Sequence, residues 1–229
     1  RRRLRRPQLL LLVLGAQLSR SLVLDAAGHM ALDEAVLLES PAEALVLRVY
    51  DWKGEACTFG FSQKYDDAKA ACEKGIEPVR RATGGGIVHH DGDVTFSLVF
   101  PWDKTCAPET IYKNIHRGIH QALKARGTVN GMWSPKERAP GIAANCFARA
   151  EKADLVDADD NKILGGALRK KGLKGLYQGS LRVPTSETTI IDGITREFGR
   201  PLVDLHPSWI LKGLELESRY RSAEWNTRR

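Results

Sequence analysis

The segment that decides the fold is Arg80-Arg81-Ala82-Thr83-Gly84-Gly85-Gly86-Ile87-Val88-His89-His90-Asp91, which joins two stretches that each predict a β-strand, 76–81 and 94–100. Glycine has no Cβ, so three in a row allow a sharp turn and let a ligand lie against bare backbone N–H groups. The two arginines beside the turn add fixed positive charge and planar donors, which suit a carboxylate, a phosphate or a thioester-linked cofactor arm. A glycine-rich hairpin loop with two solvated arginines is the alternative interpretation.

The sequence on either side of this segment mixes strands and helices. Alternating or continuous apolar runs predict further strands over 21–24, 44–52, 56–61, 153–156, 162–168 and 177–183. Helical spacing of apolar residues predicts helices over 29–39, 66–74, 108–126, 188–198 and 207–220. Because these elements do not alternate as βαβ units, we predict an α+β fold rather than a doubly wound sheet.

The charge distribution argues against a nucleic-acid partner, although the formal net charge is +7. Seven arginines among the first six and last two residues account for the whole surplus, so the rest of the chain is balanced. A local basic patch remains, which predicts either an acidic protein partner or a solvated hairpin tip: Arg169, Lys170, Lys171 and Lys174.

The chain has four cysteines with neither a CxxC pair nor a zinc-type spacing among them: Cys57, Cys72, Cys106 and Cys146. We expect Cys57 in the core, Cys72 in a helical stretch and Cys106 in a loop, a usage that fits a reducing cytoplasm. No metal site is predicted, because the neighbours His89, His90 and Asp91 point in different directions along an extended backbone.

A second group of motifs follows downstream: Asn145-Cys146-Phe147, then Lys162-Ile163-Leu164-Gly165-Gly166-Ala167, then Tyr177-Gln178-Gly179-Ser180-Leu181. Together with the glycine segment they resemble the superfamily of lipoate–protein ligase A, octanoyltransferases and biotin ligases, in its lipoyl/octanoyl branch. Further matches are Met30-Ala31-Leu32-Asp33-Glu34, Gly60-Phe61-Ser62-Gln63 and Tyr220-Arg221-Ser222-Ala223-Glu224-Trp225-Asn226. The resemblance runs from about residue 22 to the end and implies a mixed central β-sheet flanked by helices.

The resemblance also implies which residues form the site. It makes Cys146 and Lys162 the catalytic residues. The acyl- or ligand-binding residues that it implies are Arg80, Arg81, Thr83, Gly84, Gly85, Gly86, Ile87, Val88, His89, His90, Gly165 and Ala167. Within this set His90 matches the family's loop histidine, for which a structural role in the turn is the alternative, and His89 matches a variable position.

Cys146 separates the two mechanisms that the resemblance offers. Ligases of this family have an Arg-Asn-Asp-like sequence at this point, whereas Cys146-Phe147 looks like the cysteine-dependent octanoyltransferases. A free thiol is only slightly ionised at neutral pH, and the ammonium of a nearby Lys162 would favour the thiolate. A small buried cysteine without a chemical role is the alternative for Cys146.

The resemblance therefore implies an octanoyl-[acyl carrier protein]:protein N-octanoyltransferase that requires no cofactor. Its partners would be octanoyl acyl carrier protein and a lipoyl-domain acceptor, either a glycine-cleavage H protein or a 2-oxoacid dehydrogenase subunit. One alternative is a lipoate–protein ligase that uses ATP and Mg together with a separate accessory domain. Another is a non-catalytic acyl- or acceptor-binding protein on the same fold. Biotin transfer is disfavoured, because the Gly-Arg-Gly-Arg-type loop of biotin ligases is missing.

The first 20 residues imitate a secretory signal, with five arginines ahead of a leucine-rich run. The chain lacks an initiator Met, however, and the apolar run is too short to span a bilayer. We predict that 1–20 are an upstream extension or a start-site artefact, with a true signal as the alternative. We expect 21–229 to form a single lipoyl/octanoyl transferase catalytic domain in the cytoplasm, with no membrane partner and no room for an accessory domain.

Overall fold

The computed structural model describes residues 22–127, 131–132, 147 and 150–228. Its helices are α1 (Ala26–Glu39), α2 (Tyr65–Ala71), α3 (Pro108–Lys124), α4 (Glu187–Phe198), α5 (Pro207–Arg221) and α6 (Ala223–Thr227). Its strands are β1 (Val46–Tyr50), β2 (Ala56–Phe59), β3 (Val79–Arg80), β4 (Val88–His90), β5 (Val94–Pro101), β6 (Gly131–Met132), β7 (Leu155–Val156), β8 (Lys162–Lys171) and β9 (Lys174–Leu181). Within these ranges no helix has both the length and the apolar character that a membrane span requires.

The strands form two sheets. The larger sheet has six strands in the order β1-β5-β9-β8-β7-β6, and every neighbouring pair is antiparallel. The smaller sheet has the order β3-β2-β4, with β2 parallel to β3 and antiparallel to β4. The α+β class with a sheet flanked by helices is confirmed, and the parallel pairing lies in the smaller sheet.

Strand β5 carries apolar side chains on both faces of the larger sheet, because successive strand residues point to opposite sides. Phe96, Leu98 and Phe100 belong to the core that α3 and α4 cover. Val99 belongs to the core beneath α1 and α5. The sheet is thus buried between two helical layers, which matches the nearly continuous apolar sequence of this strand.

The flanking helices differ in how much of their surface they bury. Helix α3 has Pro108 in its first turn, where a missing N–H costs little, and it buries one stripe through Ile111, Ile115 and Ile119. Helix α1 is buried from Ala26 to Leu37, because the sheet lies on one side of it and α5 packs along another.

Several local predictions differ from the structure. In the described part of 21–24 there is a single bridge, from Leu24 to Trp52, instead of a strand. The predicted strand 153–156 is limited to β7, because Ala153 has a φ of 70°, which no strand residue adopts. Strand β4 and helix α6 were not predicted, since each is short and depends on tertiary contacts.

The cysteines lie mostly where the sequence analysis expects them. Cys57 is buried in β2, Cys72 caps the C-terminus of α2, and Cys106 is partly exposed ahead of α3. A disulfide joins Cys57 to Cys72, whose Cα atoms are 6.5 Å apart. The sequence analysis did not predict this pairing, because it arises when α2 folds onto the smaller sheet.

Candidate functional site

A cavity lies where the smaller sheet meets strands β8 and β9, and its empty space, about 420 Å³, is partly open to solvent. Its wall combines apolar side chains with a few polar groups, as in sites that enclose a mainly apolar small ligand. The aromatic residues of the wall are Tyr50, Trp52 and Phe147. Bare backbone at Gly165, Gly166 and Gly179 forms another part of it.

The turn at Gly84, Gly85 and Gly86, called the glycine loop below, lies at the edge of this cavity, and Arg81 holds it in shape. The Nη2 atom of Arg81 donates to the carbonyl oxygens of Gly84 at 2.9 Å and Gly86 at 2.8 Å, and Nη1 donates to Thr58 Oγ1 at 2.9 Å. Between these carbonyls, Gly85 has a φ of 87°, in the left-handed region that favours glycine. A single guanidinium therefore fixes the turn and also faces the cavity.

The loop is also docked against two other segments. The Thr83 hydroxyl donates to Gln178 Oε1 on β9 at 2.6 Å. A Cβ atom added to Gly60 would lie 1.9 Å from the carbonyl oxygen of Gly85, so this close approach requires glycine. The Gly60-Phe61-Ser62-Gln63 motif is explained by this contact.

Arg80, the first residue of the segment, is 1 % exposed and has a different environment from Arg81. Its guanidinium donates to backbone carbonyl oxygens from two distant parts of the chain at 2.6 to 3.2 Å: those of Phe61, Gln63, Trp225, Asn226 and Arg228. Its backbone N–H donates to Asn226 Oδ1 at 2.8 Å. These contacts place the Arg80 side chain among backbone carbonyls instead of in the cavity wall.

Successive residues of β4 point alternately to the cavity and to the opposite side of the smaller sheet. Val88 and His90 face the cavity, together with Gly165 and Ala167 from β8. Ile87 packs into a core cluster with Cys57 and Phe59 on the other side of the smaller sheet, and His89 alternates to that side as well. Of the residues expected to bind ligand, five therefore line the cavity: Arg81, Val88, His90, Gly165 and Ala167.

His90 is part of a buried hydrogen-bond chain. The carboxylate of Asp93 can only accept a hydrogen bond from the ring, so the ring nitrogen that faces away from it, Nε2, accepts the hydrogen of the Thr58 hydroxyl, 2.9 Å away. The other ring nitrogen, Nδ1, then carries the hydrogen that goes to Asp93 Oδ2 at 3.0 Å. Burial lowers the pKa of His90, although Asp93 opposes this effect, so the ring is neutral at physiological pH.

Lys162 lies behind Gly165, at the opposite wall. Its Nζ is 2.9 Å from Asp154 Oδ2, and both side chains are almost fully buried. A Cβ atom on Gly165 would approach Lys162 Cε to 2.1 Å and Nζ to 2.5 Å, so the lysine occupies the space that a side chain would take. The same Nζ lies 5.5 Å from the ring centroid of Phe147.

Cys146 lies outside the described residues, so its expected catalytic position is not part of this geometry. Phe147, the next residue in the chain, is described and lines the cavity. Its ring lies between two cations, Lys162 and the guanidinium of Arg182, whose Cζ is 4.2 Å from the ring centroid.

The sequence analysis missed the buried acidic residues that hold these groups. Asp93 and Asp154 have the roles described above, and Asp33 on α1 binds Arg48, Tyr50 and Gln178, the last at 2.6 Å. Gln178 in turn accepts the hydrogen of Thr83, which connects α1 to the glycine loop. A sequence signal was available only for Asp33, which lies within the largely apolar run 30–37 and therefore implies a buried partner.

Two buried histidines lie near the site. His29 contacts Arg48 and His116 contacts the Tyr177 hydroxyl, in each case through a ring nitrogen, at 3.0 Å and 2.7 Å. Burial is the main cause that lowers the pKa of both to about 3, helped by the positive charges of Arg48 and Lys162 respectively. Both rings are therefore neutral in the folded protein above that pH.

The family model of the lipoyl protein ligase A/B catalytic domain matches residues 25–197. Octanoyltransferase LipM from Carboxydothermus hydrogenoformans is 31% identical over 165 residues, which cover 69% of this chain and 61% of that protein. The chain spans about three fifths of the length of the curated relatives it matches.

Solved structures share the fold at lower identity. A Thermoplasma acidophilum protein with bound lipoic acid superposes with a TM-score of 0.74 at 19% identity, over 90% of this chain and 97% of that one. A lipoate-protein ligase A bound with ATP superposes with a TM-score of 0.72, also at 19% identity, over 90% and 97%. At this identity the likeness shows the fold alone.

Replacing Arg80 with lysine tests whether this residue supports the structure. Lysine has three donors on a flexible stem and leaves several buried carbonyls unpaired, so we expect Arg80→Lys to lower the free energy of unfolding by about 2–4 kcal/mol. Arg200→Lys is the control, because the exposed Arg200 also donates to one carbonyl, that of Glu43, and should change stability by less than about 0.5 kcal/mol. Unchanged urea unfolding together with weaker ligand binding would instead assign Arg80 to the ligand.

The depressed pKa of His116 predicts a pH dependence of stability. An unfolded histidine takes up a proton near its ordinary pKa of 6.5, whereas folded His116 stays neutral down to about 3. Its stabilising effect is therefore complete above pH 6.5 and is lost as the pH falls, by about 1.4 kcal/mol per pH unit. His116→Gln should flatten the plot of unfolding free energy against pH between about 6 and 4 by that amount. An unchanged slope in His116→Gln would contradict the assignment.

Proposed function

The chain belongs to the lipoyl protein ligase A/B catalytic domain family, and we propose that it is an octanoyltransferase acting in protein lipoylation. One observation carries the proposal: the residue that follows Cys146 lies in the cavity wall, within 5.5 Å of the buried ammonium of Lys162. The similarity to octanoyltransferase LipM of several organisms supports it.

The proposed reaction has two acyl transfers. The Cys146 thiolate attacks the carbonyl carbon of an octanoyl thioester, a new thioester bond forms, the bond to the carrier sulfur breaks, and the acyl carrier protein leaves as its thiolate, which takes a proton from water. A lysine amine of the acceptor then attacks this acyl-enzyme, an amide bond forms, and the Cys146 thiolate leaves while the amine loses a proton. Each transfer passes through an oxyanion that fixed N–H groups and a cation stabilise.

Lys162 is the cation in this proposal. The contact with Asp154 holds its Nζ in one place, and the missing side chain at Gly165 leaves the space that the lysine stem occupies. A cation fixed before the reaction stabilises a thiolate or an oxyanion without reorganisation during the step. Lys162 is therefore proposed to act on the thioester chemistry, with Asp154 as its positioning residue.

The cavity is proposed to hold the acyl chain. Val88, Ala167 and the bare backbone at Gly165 provide the apolar surface that an acyl chain requires. Gly84, Gly85 and Gly86 are proposed to place their backbone N–H groups at the reacting end of the chain, with Arg81 maintaining the turn.

The partners and setting follow from this reaction. We propose octanoyl acyl carrier protein as the donor, and a lipoyl-domain protein such as a glycine-cleavage H protein or a 2-oxoacid dehydrogenase subunit as the acceptor. No cofactor is needed for thioester exchange, and the cytoplasm is the compartment that contains both partners. The basic patch at the turn between β8 and β9 is not assigned to partner binding, because two of its residues have contacts within the chain. Arg169 pairs with Glu34, and Lys174 donates to the carbonyls of Leu38 and Ser40.

Intact mass measurement tests the proposed acyl-enzyme. After incubation with octanoyl acyl carrier protein, we expect the wild-type protein to gain the mass of one octanoyl group, and Cys146→Ser to gain no thioester. Cys106→Ser is the matched control, because it removes a partly exposed cysteine and should acylate normally. An adduct that persists in Cys146→Ser at another cysteine would reject the mechanism.

The alternative is a lipoate–protein ligase, because the matching family model describes the lipoyl protein ligase A/B catalytic domain. It predicts that free lipoate is attached to an acceptor domain only when ATP and Mg are present, and that Cys146→Ser does not affect this attachment. A non-catalytic binding protein would bind octanoyl or lipoyl ligand and turn over neither donor.

Gly165→Ala tests the position of Lys162 without changing its charge. The added Cβ would displace the lysine, so we expect acyl-enzyme formation to slow by about 10–100-fold, as misplacement by roughly 1 Å does in other sites. The control is a double-mutant cycle with Lys162→Ala. If the alanine acts through the lysine, it causes no further loss in the Lys162→Ala background. Equal losses in both backgrounds would show that Gly165 acts independently of Lys162.

A further inference from the structure

Three donor groups for a soft metal ion converge on the side of the smaller sheet that faces away from the cavity. Cys57 in β2 is the direct cross-strand partner of His89 in β4, and Cys72 caps the C-terminus of α2 above them. The two Sγ atoms and one ring nitrogen of His89 all lie within 4.8 Å of one another. In the structure the two sulfurs are joined as a disulfide.

This cluster is separate from the acyl site described above. The neighbours Thr58 and His90 face the cavity, so Cys57 and His89 point to the opposite side of the same two strands. The surroundings of Cys57 are apolar, with Phe59, Ala68 and Ile87 buried beside it. Cys72 and His89 are partly exposed, which leaves one side of the cluster open to solvent.

We propose that reduction of the Cys57–Cys72 disulfide creates a site for a zinc-like divalent cation, with the two thiolates and the His89 imidazole as ligands. Thiolate and imidazole are the donors that Zn²⁺ prefers, and tetrahedral coordination at Zn–S distances of about 2.3 Å puts two sulfurs about 3.8 Å apart. The reduced sulfurs separate to that distance, and one ring nitrogen of His89 already lies within 4.8 Å of both sulfurs. The open side provides the fourth position for water.

The strand register positions two of the proposed ligands in advance. Cys57 and His89 are held opposite each other by the β2–β4 ladder, so two of the three ligands are placed by backbone hydrogen bonds before any ion arrives. The third ligand, Cys72, already approaches Cys57 closely enough for a covalent bond, with a Cα separation of 6.5 Å. A site arranged in advance in this way binds with little cost of ordering.

The two states interconvert through a balanced reaction. A dithiol reductant exchanges with the disulfide, so that the reductant is oxidised to its own disulfide and Cys57 and Cys72 become thiols that gain two electrons and two protons. Metal binding then releases the two thiol protons as the Zn–S bonds form. Disulfide and metal are mutually exclusive, and each joins the end of α2 to the sheet that carries the glycine loop.

Cobalt titration of the reduced, full-length chain tests the proposal. Co²⁺ replaces Zn²⁺ in such sites and gives a thiolate-to-cobalt charge-transfer band. We expect one equivalent to bind with this band after reduction by a dithiol, to be displaced by Zn²⁺, and to be absent from the oxidised protein. His89→Ala should weaken the binding by at least about 100-fold, since the loss of a direct ligand costs at least as much affinity as the loss of a group that only orients a ligand.

The controls distinguish this cluster from the other cysteines. Cys106→Ser and Cys146→Ser should keep both the band and the stoichiometry, whereas Cys72→Ser should lose them. Alkylation of the wild-type protein, mapped by mass spectrometry, requires no variant. Bound Zn²⁺ should protect Cys57 and Cys72 but leave Cys106 reactive. A reduced protein without the band, binding that survives Cys72→Ser, or alkylation that ignores Zn²⁺ would each overturn the proposal.

Discussion

The buried guanidinium of Arg80 is the constraint on which the rest of the site depends. A charge removed from water must be met by hydrogen bonds, and here backbone carbonyl oxygens provide them. Those carbonyls come from the segment after β2 and from the C-terminal residues around α6. Arg80 therefore ties the start of the glycine loop to both segments, and residues near the end of the chain contact a turn that lies far from them in sequence.

Two buried polar networks extend this constraint to the cavity. One runs from Arg48 through Asp33 and Gln178 to Thr83, and the other from Arg81 through Thr58 and His90 to Asp93. Both reach the glycine segment, one from α1 and the other from within the smaller sheet. Because the hydrogen bonds of these groups are made within the protein, the networks position the segment and keep its shape in the absence of a ligand.

The wall of the cavity that β8 forms depends on glycines, which leave room for neighbouring side chains. Gly165 leaves room for the stem of Lys162, and a Cβ on Gly166 would lie 2.2 Å from the Tyr177 ring, so larger residues would displace both neighbours. Asp154 then holds the ammonium that this space admits. The shape of the cavity and the position of the charge thus come from the same stretch of β8, which places the lysine beside the surface proposed to bind the acyl chain.

The α+β class, most of the helices and strands, and the short motifs of the family can be recognised in the chain before it is folded. These signals are local: the stripe of Ile111, Ile115 and Ile119 shows helical spacing within one helix, and the glycine turn requires no distant residue to be recognised. Only the tertiary structure decided that Arg80 and Arg81, adjacent in the chain, face carbonyls and cavity respectively, and that Asp154 pairs with Lys162. It alone brought Cys57, Cys72 and His89 together. The physical reason is that side-chain direction and partnership depend on strand pairing and layer packing, which join residues that no local pattern relates.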